Sequence, residues 1–322
     1  MHVENELAIG IDIGGTKIAA GLVDAEGRVV EEVRRATPGH DARAVERTVA
    51  ALVAELGAQA PGAAVGVGAA GWMDLSGSTV LFSPHLAWRN EPLRARLEEM
   101  VGRRVLLCND ADAAGWAEYR YGAAAGESHA VVLTLGTGIG GAMVTDGVLQ
   151  RGRFGVAGEF GHQTLVHEGH RCACGNRGCW EQYASGNALG REGRGLLAAG
   201  SPVAHALRDA AGGNADAVTG ELVTRLAASG DAACRDLLVD AGHWLGIGIA
   251  NLAAVLDPGI VVIGGGLGSA APLLIDTAAD TYRRTLSGRS YRPFARVVRA
   301  ALGPAAGLIG AADLARRAPA ED

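Results

Sequence analysis

One segment of the chain is rich in metal-binding side chains, because three of the five cysteines lie within eight residues and follow a histidine. The four residues are His162, Cys172, Cys174 and Cys179. Three thiolates and one imidazole form a closed ligand set for tetrahedral zinc, with no open position for catalysis. His167 and His170 are rival fourth ligands, because spacing alone does not decide among the three histidines. We therefore predict a structural zinc ion, and we interpret Cys108 and Cys234 as inert core thiols.

Two glutamates flank this segment, Glu159 on its N-terminal side and Glu181 two residues after the last cysteine. Carboxylates fixed beside a metal segment accept hydrogen bonds from the hydroxyl groups of a sugar. His162 is able to bind zinc through one ring nitrogen and donate a hydrogen bond from the other, so the metal fixes its tautomer. The pattern predicts Glu159, His162 and Glu181 as sugar-binding residues.

A further acidic position ends a predicted strand, where Asn109 and Asp110 precede a predicted helix. A carboxylate there is suited to accept the proton of a hydroxyl group that attacks phosphorus, while Asn109 orients the same molecule. The alternative is that Asp110 only caps the helix, a common role of aspartate at a helix N-terminus. The sequence leaves both interpretations open.

Three turns are rich in glycine. They contain Asp12, Gly14, Gly15, Thr16 and Lys17, then Gly136, Thr137 and Gly138, then Gly264, Gly265 and Gly266. Glycine lets backbone N–H groups approach an anion closely, so the first two turns predict a clamp for a polyphosphate tail, with ordinary turns as the alternative. The third turn follows a buried strand and predicts a place for adenosine. No P-loop motif occurs and the first two turns open no helix, which disfavours P-loop enzymes and dehydrogenases.

The first two turns each join a pair of short apolar strands, 7–13 with 17–23 and 130–135 with 139–144. Further strands are predicted over 28–35, 64–69, 104–107, 260–263 and 295–299. Helices are predicted over 41–56, 92–100, from 110, 219–228, 231–256, 272–286 and from 304 or 305 to about 317. The repeated hairpin predicts an α/β fold of two duplicated lobes with a central cleft, where a ligand binds.

The composition of the 322 residues excludes several classes of protein. Hydrophobic residues make up 48% and charged residues 20%, so we expect a folded chain of about two domains rather than disorder. The net charge of −6, without a block of lysine or arginine, predicts no binding to nucleic acid. No apolar run reaches the ~18 to 20 residues of a membrane span, and the first thirty residues lack a signal-peptide core. We therefore expect no membrane anchor and a cytoplasmic location.

With these motifs assembled, the chain resembles the ROK family of sugar kinases and repressors, most closely its actinobacterial glucokinases. The resemblance covers nearly the whole chain and rests on residues 12–17, 136–141 with 158–162, and 172–181. It implies an actin-like, hexokinase-type ATPase fold. The implied small lobe comprises residues 1–112 joined by 303–322, and the implied large lobe comprises 113–302. The resemblance also implies Mg-ATP as the donor, Mg²⁺ and structural Zn²⁺ as cofactors, and a homodimer or homotetramer.

The same resemblance implies transfer of the γ-phosphoryl group to the 6-hydroxyl of glucose. Asp110 matches the family's general base. The residues that match sugar contacts are Asn109, Glu159, His162 and Glu181, and those that match zinc ligands are His162, Cys172, Cys174 and Cys179. Thr16 and Thr137 are implied near the phosphates.

Two loops depart from the usual family pattern. The loop 83–86 lacks an asparagine that many relatives carry, and the loop 71–74 replaces a more usual Pro-Gly-x-x-Asp. Kinases for N-acetylmannosamine or fructose therefore remain alternatives, as do a polyphosphate-dependent glucokinase and a non-catalytic sugar sensor. A repressor of this family needs a helix-turn-helix before the first hairpin, and we expect none because only six residues precede Leu7.

Overall fold

The structure, a computed structural model, describes residues 7–38, 41–83 and 86–319. The strands are β1 (Ala8–Ile13), β2 (Lys17–Val23), β3 (Val29–Ala36), β4 (Ala64–Ala69), β5 (Trp72–Met73), β6 (Val80–Phe82), β7 (Arg89–Glu91), β8 (Val105–Asn109), β9 (His129–Leu135), β10 (Ile139–Thr145), β11 (Val148–Leu149), β12 (Ile260–Gly264) and β13 (Arg296–Arg299). The helices are α1 (Ala42–Gly57), α2 (Leu93–Val101), α3 (Asp110–Tyr121), α4 (Glu181–Ala184), α5 (Gly186–Ala198), α6 (His205–Ala210), α7 (Gly220–Ala228), α8 (Ala232–Leu256), α9 (Gly265–Ala270), α10 (Pro272–Thr285) and α11 (Ala306–Arg317).

Two five-stranded sheets repeat one topology. The first sheet has the order β3-β2-β1-β4-β8, and the second has the order β11-β10-β9-β12-β13. In the first, β1 and β2 form an antiparallel hairpin, while β1, β4 and β8 run parallel. In the second, β9, β12 and β13 run parallel. This repetition confirms the predicted α/β fold with two duplicated halves.

The chain separates into two compact units. The first contains the residues up to Gly126, Ala142–Gly158 and the residues from Leu302, and the second contains Glu127–Gly141 and Glu159–Ala301. The sequence placed its first boundary after residue 112, which lies within α3. In the structure, the first unit contains the whole of α3, because this helix packs along α11. The first unit also contains the segment 142–158, which lies outside the boundary expected from the sequence.

Helix α11 reaches the first sheet and α3 through glycines. A Cβ on Gly10 would collide with the Leu308 carbonyl oxygen, and a Cβ on Gly66 with that of Ala311. Gly310 faces the backbone of Ala113 in the same way. Because these positions carry no side chain, backbone packs directly on backbone, and α3 is held with its first turn at the carboxyl ends of the parallel strands.

Helix α8 is the long apolar helix of the second unit. By length and composition it would qualify as a membrane span, but 56% of its apolar window is buried inside the protein. Gly242 and Gly246 of α8 face Thr277 and Thr281 of α10, and Gly248 faces the ring of Trp180. The helix therefore has the contacts of a core helix.

Several elements, most of them short, lie outside the sequence prediction. They are the small sheet β5-β6-β7 and the elements β11, α4, α5, α6 and α9. Strands of two or three residues carry no measurable alternation, so the pattern does not reveal them. In the loop 83–86, Pro84 and His85 lie outside the described residues, so the prediction made for that loop stays a prediction.

Candidate active site

In the first unit, Asp12 lies at the carboxyl end of β1, directly before the first glycine turn. The turn is closed by the Gly14 N–H, which donates to the Lys17 oxygen at 3.0 Å, and by Thr37 Oγ1, which donates to the Gly14 oxygen at 2.7 Å. Burial, and then the nearby Asp110, raise the pKa of Asp12 to about 7, with Lys17 acting in the opposite direction. Positive charge beside Asp12 beyond that of Lys17 would therefore favour its ionised form at neutral pH.

The residues Asn109 and Asp110 join β8 to α3. Asn109 is the N-cap of α3, since its Oδ1 accepts from the Asp112 N–H at 3.0 Å, and its Nδ2 donates to the Gly71 oxygen at 2.9 Å. Asp110 is the first residue of the helix, and its Oδ1 accepts from the adjacent Ala111 N–H at 2.9 Å. The capping role considered for Asp110 thus belongs to Asn109.

A second carboxyl group lies on the first turn of α3. Asp112 is buried, and burial followed by the nearby Asp110 raises its pKa to about 7, while Arg151 lowers it. Cys108 is also buried, and its pKa is raised above the ordinary range, first by burial and then by Asp112. This supports an inert core thiol at Cys108 and adds Asp112 to the acidic residues of the region.

In the second unit, the predicted zinc ligands converge. The ligand atoms of His162, Cys172, Cys174 and Cys179 all lie within 4.8 Å of one another. Cys172 Sγ is 3.6 Å from His162 Nδ1, and Cys174 Sγ is 3.6 Å from Cys179 Sγ. His167 and His170 are outside this group, and the His170 ring packs on Tyr183 instead. The geometry therefore selects His162 among the three histidines, and the set fits tetrahedral zinc.

Tight backbone turns bring the cysteines together. The Cys172 N–H donates to the Asn176 oxygen at 2.9 Å, and the Gly178 N–H donates to the His170 oxygen at 2.8 Å. Gly178 has φ +74°, and a Cβ there would collide with the Val166 oxygen, so only glycine fits. Trp180 then anchors the segment on α8, donating from Nε1 to the Trp244 oxygen at 2.9 Å.

His162 lies between the two predicted glutamates. Its Nδ1 is 3.8 Å from Glu181 Oε1, and its Nε2 is 3.9 Å from Glu159 Oε2. Glu181 Oε1 is also 3.1 Å from Cys172 Sγ. Burial raises the pKa of both the Cys172 and Cys179 thiols, so a bound cation is needed to hold them as thiolates at neutral pH. Nδ1 thus faces the sulfur ligands while Nε2 faces Glu159.

The second and third glycine turns border a cavity of about 740 Å³. Gly136, Thr137 and Gly266 line it, whereas Gly138 faces Glu181. Gly265, with φ +80°, opens α9, and a Cβ there would collide with the Leu135 oxygen. Gly136 and Thr137, predicted near the phosphates, and Gly266, predicted beside adenosine, therefore share one cavity that is large enough for a nucleoside.

The remaining walls of this cavity come from helices that the site prediction did not use. They carry Gly186, Asn187, Gly190, Arg194, Thr219, Gly220, Glu221, Thr224, Arg225, Leu267, Ala228 and Ala270. The N-terminus of α5 bonds directly to the second turn, since the Gly186 N–H donates to the Gly136 oxygen at 2.8 Å. Ser185, which caps α5, was the available sequence signal for this helix.

Comparison with known proteins assigns this arrangement to a family. The family model described as "ROK family" matches residues 8–318. The chain belongs to the ROK family. It is 43% identical over 311 residues to a glucokinase of Streptomyces coelicolor, covering 96% of this chain and 98% of that protein.

Solved ROK structures are similar over the same length. A ROK family glucokinase from Streptomyces griseus, in complex with glucose and AMPPNP, is 44% identical with a TM-score of 0.89, covering 97% of this chain and 100% of that one. A ROK hexokinase from Thermus thermophilus is 37% identical with a TM-score of 0.79, covering 96% and 98%. The predicted actin-like, hexokinase-type fold of the ROK family is therefore confirmed.

Proposed function

We propose that this chain is a glucokinase that transfers the γ-phosphoryl group of ATP to the 6-hydroxyl of glucose. The observation that carries the proposal is the full-length similarity to the Streptomyces griseus glucokinase, a protein solved with glucose and AMPPNP. The 740 Å³ cavity beside the phosphate turns supports a nucleotide as the donor, because a chain of phosphates alone does not require such a space.

Asp110 is the proposed general base. It accepts the proton of the 6-hydroxyl as that oxygen bonds to the γ-phosphorus, and the bond between this phosphorus and the bridging oxygen of ADP breaks. The hydroxyls of glucose are held by Asn109, Glu159, His162 and Glu181. The Gly14 and Gly136 N–H groups close their own turns, so the N–H groups of residues 15–16 and 137–138 are the ones that hold the phosphates, with Lys17 and Thr137 beside them.

Two metal ions complete the proposal. Mg²⁺ prefers oxygen ligands, and Asp12 offers a carboxylate beside the first phosphate turn. When bound there, the ion would neutralise negative charge on the phosphates. His162 and the three cysteines would hold zinc, and Nε2 of His162, which lies 3.9 Å from Glu159 Oε2, would remain available to the sugar. From the family resemblance we further infer that the protein is cytoplasmic and forms a homodimer or homotetramer. Light scattering of the purified protein tests the oligomeric state.

A substrate panel tests the function. Purified protein is assayed with glucose, N-acetylmannosamine, fructose and mannose, and with ATP or inorganic polyphosphate as donor. The expected result is the highest kcat/KM for glucose with ATP. Turnover of another hexose alone, turnover with polyphosphate alone, or sugar binding without turnover would each overturn the proposal in favour of a different member of the family.

A further inference from the structure

Arg151 is a partly buried arginine that joins two segments of the first unit. Its Nη1 donates to the Leu75 oxygen at 3.0 Å, and its Nη2 donates to the Asp74 oxygen at 2.9 Å. Its Nε lies 3.7 Å from Asp112 Oδ2. One guanidinium therefore contacts both the turn between β5 and β6 and the first turn of α3.

The contact between Arg151 and Asp112 lies largely out of solvent, so it has an energetic consequence. The side chain of Arg151 is 22% exposed and that of Asp112 only 4%. A buried charge is costly unless it is paired, and removing one partner leaves the other unpaired. Burial and Asp110 both raise the pKa of Asp112, and Arg151 is the cation that opposes them. The ion pair of Arg151 and Asp112 therefore lies at the first turn of α3, where Asp112 is two residues from the proposed base Asp110.

Each contacted segment leads to a residue proposed to bind the acceptor. The strand β5 follows Gly71, whose oxygen accepts from Asn109 Nδ2 at 2.9 Å. The first turn of α3 carries Asp110. Arg151 itself begins a segment that runs along the chain to Glu159, and Gly155 of that segment would place a Cβ 2.6 Å from the Leu75 backbone nitrogen. Three chain segments therefore meet at Arg151.

We propose that Arg151 is a positioning residue for the acceptor sugar. It holds the turn 74–79 against the first turn of α3 and thereby sets the orientation of Asn109 and Asp110. Two carbonyl oxygens and one carboxylate are reached at once because the guanidinium is a planar fork, which an ammonium group does not reproduce. The inference rests on the proposed function in taking Asn109 and Asp110 as the acceptor-binding residues.

Arg151→Met and Arg151→Lys test the proposal, with Arg153→Met as the matched control. Arg153 is an exposed arginine two residues away that lies over Phe154, itself exposed. Assays are run well above pH 7, where Asp112 is ionised. Because small misplacements of reacting groups cost about 10²-fold, we expect kcat/KM for glucose to fall by about that factor in Arg151→Met. KM for ATP should stay unchanged, Arg151→Lys should not restore activity, and Arg153→Met should resemble the wild type.

A merely structural role predicts a different pattern. Equal losses toward glucose and ATP, or a lower melting temperature with normal glucose constants, would overturn the proposal. If Arg151→Met does not fold, Asp112→Asn decides, because it keeps the side-chain volume while it removes the negative charge and one of the two acceptor oxygens. The same selective loss toward glucose is expected there, about tenfold, and unchanged glucose constants would reject the positioning role.

Failure of this inference is distinguishable from failure of the proposed function. The wild-type panel identifies the hexose that the protein phosphorylates. If that hexose is not glucose, the function proposed above fails, and the same variants are measured with the preferred hexose. Calorimetric titration of that sugar into each variant then reports the positioning effect directly.

Discussion

The zinc segment and the region of Asp110 both supply proposed sugar-binding residues, yet they are held by opposite means. The zinc segment is stabilised by short-range turns and four converging ligands, all between residues 162 and 179. Asp110 is held by parallel strands and by α11, from nearly two hundred residues away in the chain. We therefore expect the zinc segment to depend on a bound metal ion, and the position of Asp110 to depend on the packing of the whole unit.

The largest expected effect is that of Asp110→Asn. An amide keeps the size of the side chain but does not accept the proton, so kcat should fall by about 10² to 10⁴-fold with little change in KM for ATP. Asn109 is the N-cap, so the helix should be unaffected and the melting temperature should stay close to that of the wild type. Steady-state kinetics on folded protein check this, and near-normal turnover would contradict the assignment.

The next effect concerns the metal. Elemental analysis should find one zinc per chain, and Cys174→Ser should lose it and weaken glucose binding by about 10 to 100-fold. ATP binding should change less, because Gly136, Thr137 and Gly266 line a separate cavity. His170→Asn is the control, since His170 lies outside the ligand group, and it should retain zinc. Equal losses of glucose and ATP binding would mean that the metal holds the whole unit.

A smaller effect tests the packing that holds α3. Gly310→Ala introduces a Cβ against the Ala113 oxygen and should lower the free energy of unfolding by about 1 to 3 kcal/mol. Gly195 in α5 is the matched control, because a Cβ there meets nothing within 4 Å, and Gly195→Ala should stabilise by about 0.4 to 1 kcal/mol. Urea denaturation measures both variants. If both variants change the free energy of unfolding equally, the close contact between α11 and the backbone of α3 does not contribute to stability.

The last expected effect is seen only as a slope of stability against pH, and it is contributed by Asp12. Its folded pKa of about 7 lies above the ordinary value of 3.8, so the folded protein keeps a proton that the unfolded chain has released. Its contribution to stability is therefore full below the ordinary value and is lost as the pH rises through about 7. Asp12→Asn should flatten this decline in urea denaturation across that range. If the stability of Asp12→Asn declines with pH as steeply as that of the wild type, the decline comes from other titratable groups.

Much of the fold was predictable because it is local. The short apolar run in 17–23 and the apolar spacing in 41–56 identified β2 and α1, and Asp41 accepts from the Ala44 N–H as the cap. The small sheet β5-β6-β7 was missed, since its strands hold two or three residues each and are stabilised by pairing rather than by pattern. Arg151 was missed for a related reason, because its partners Asp74 and Leu75 lie 77 and 76 positions away.

The sequence by itself determined the chemistry of this protein: the zinc ligand types, the glycine turns, and the paired Asn109 and Asp110. These features can be recognised in the sequence alone because the type of metal ligand and the conformational freedom of glycine are properties of the individual residue. Only the tertiary structure decided which histidine joins the cysteines, that Asn109 rather than Asp110 caps α3, and which helices line the 740 Å³ cavity. These depend on distances between segments far apart in the chain, which arise only when strands pair and helices pack.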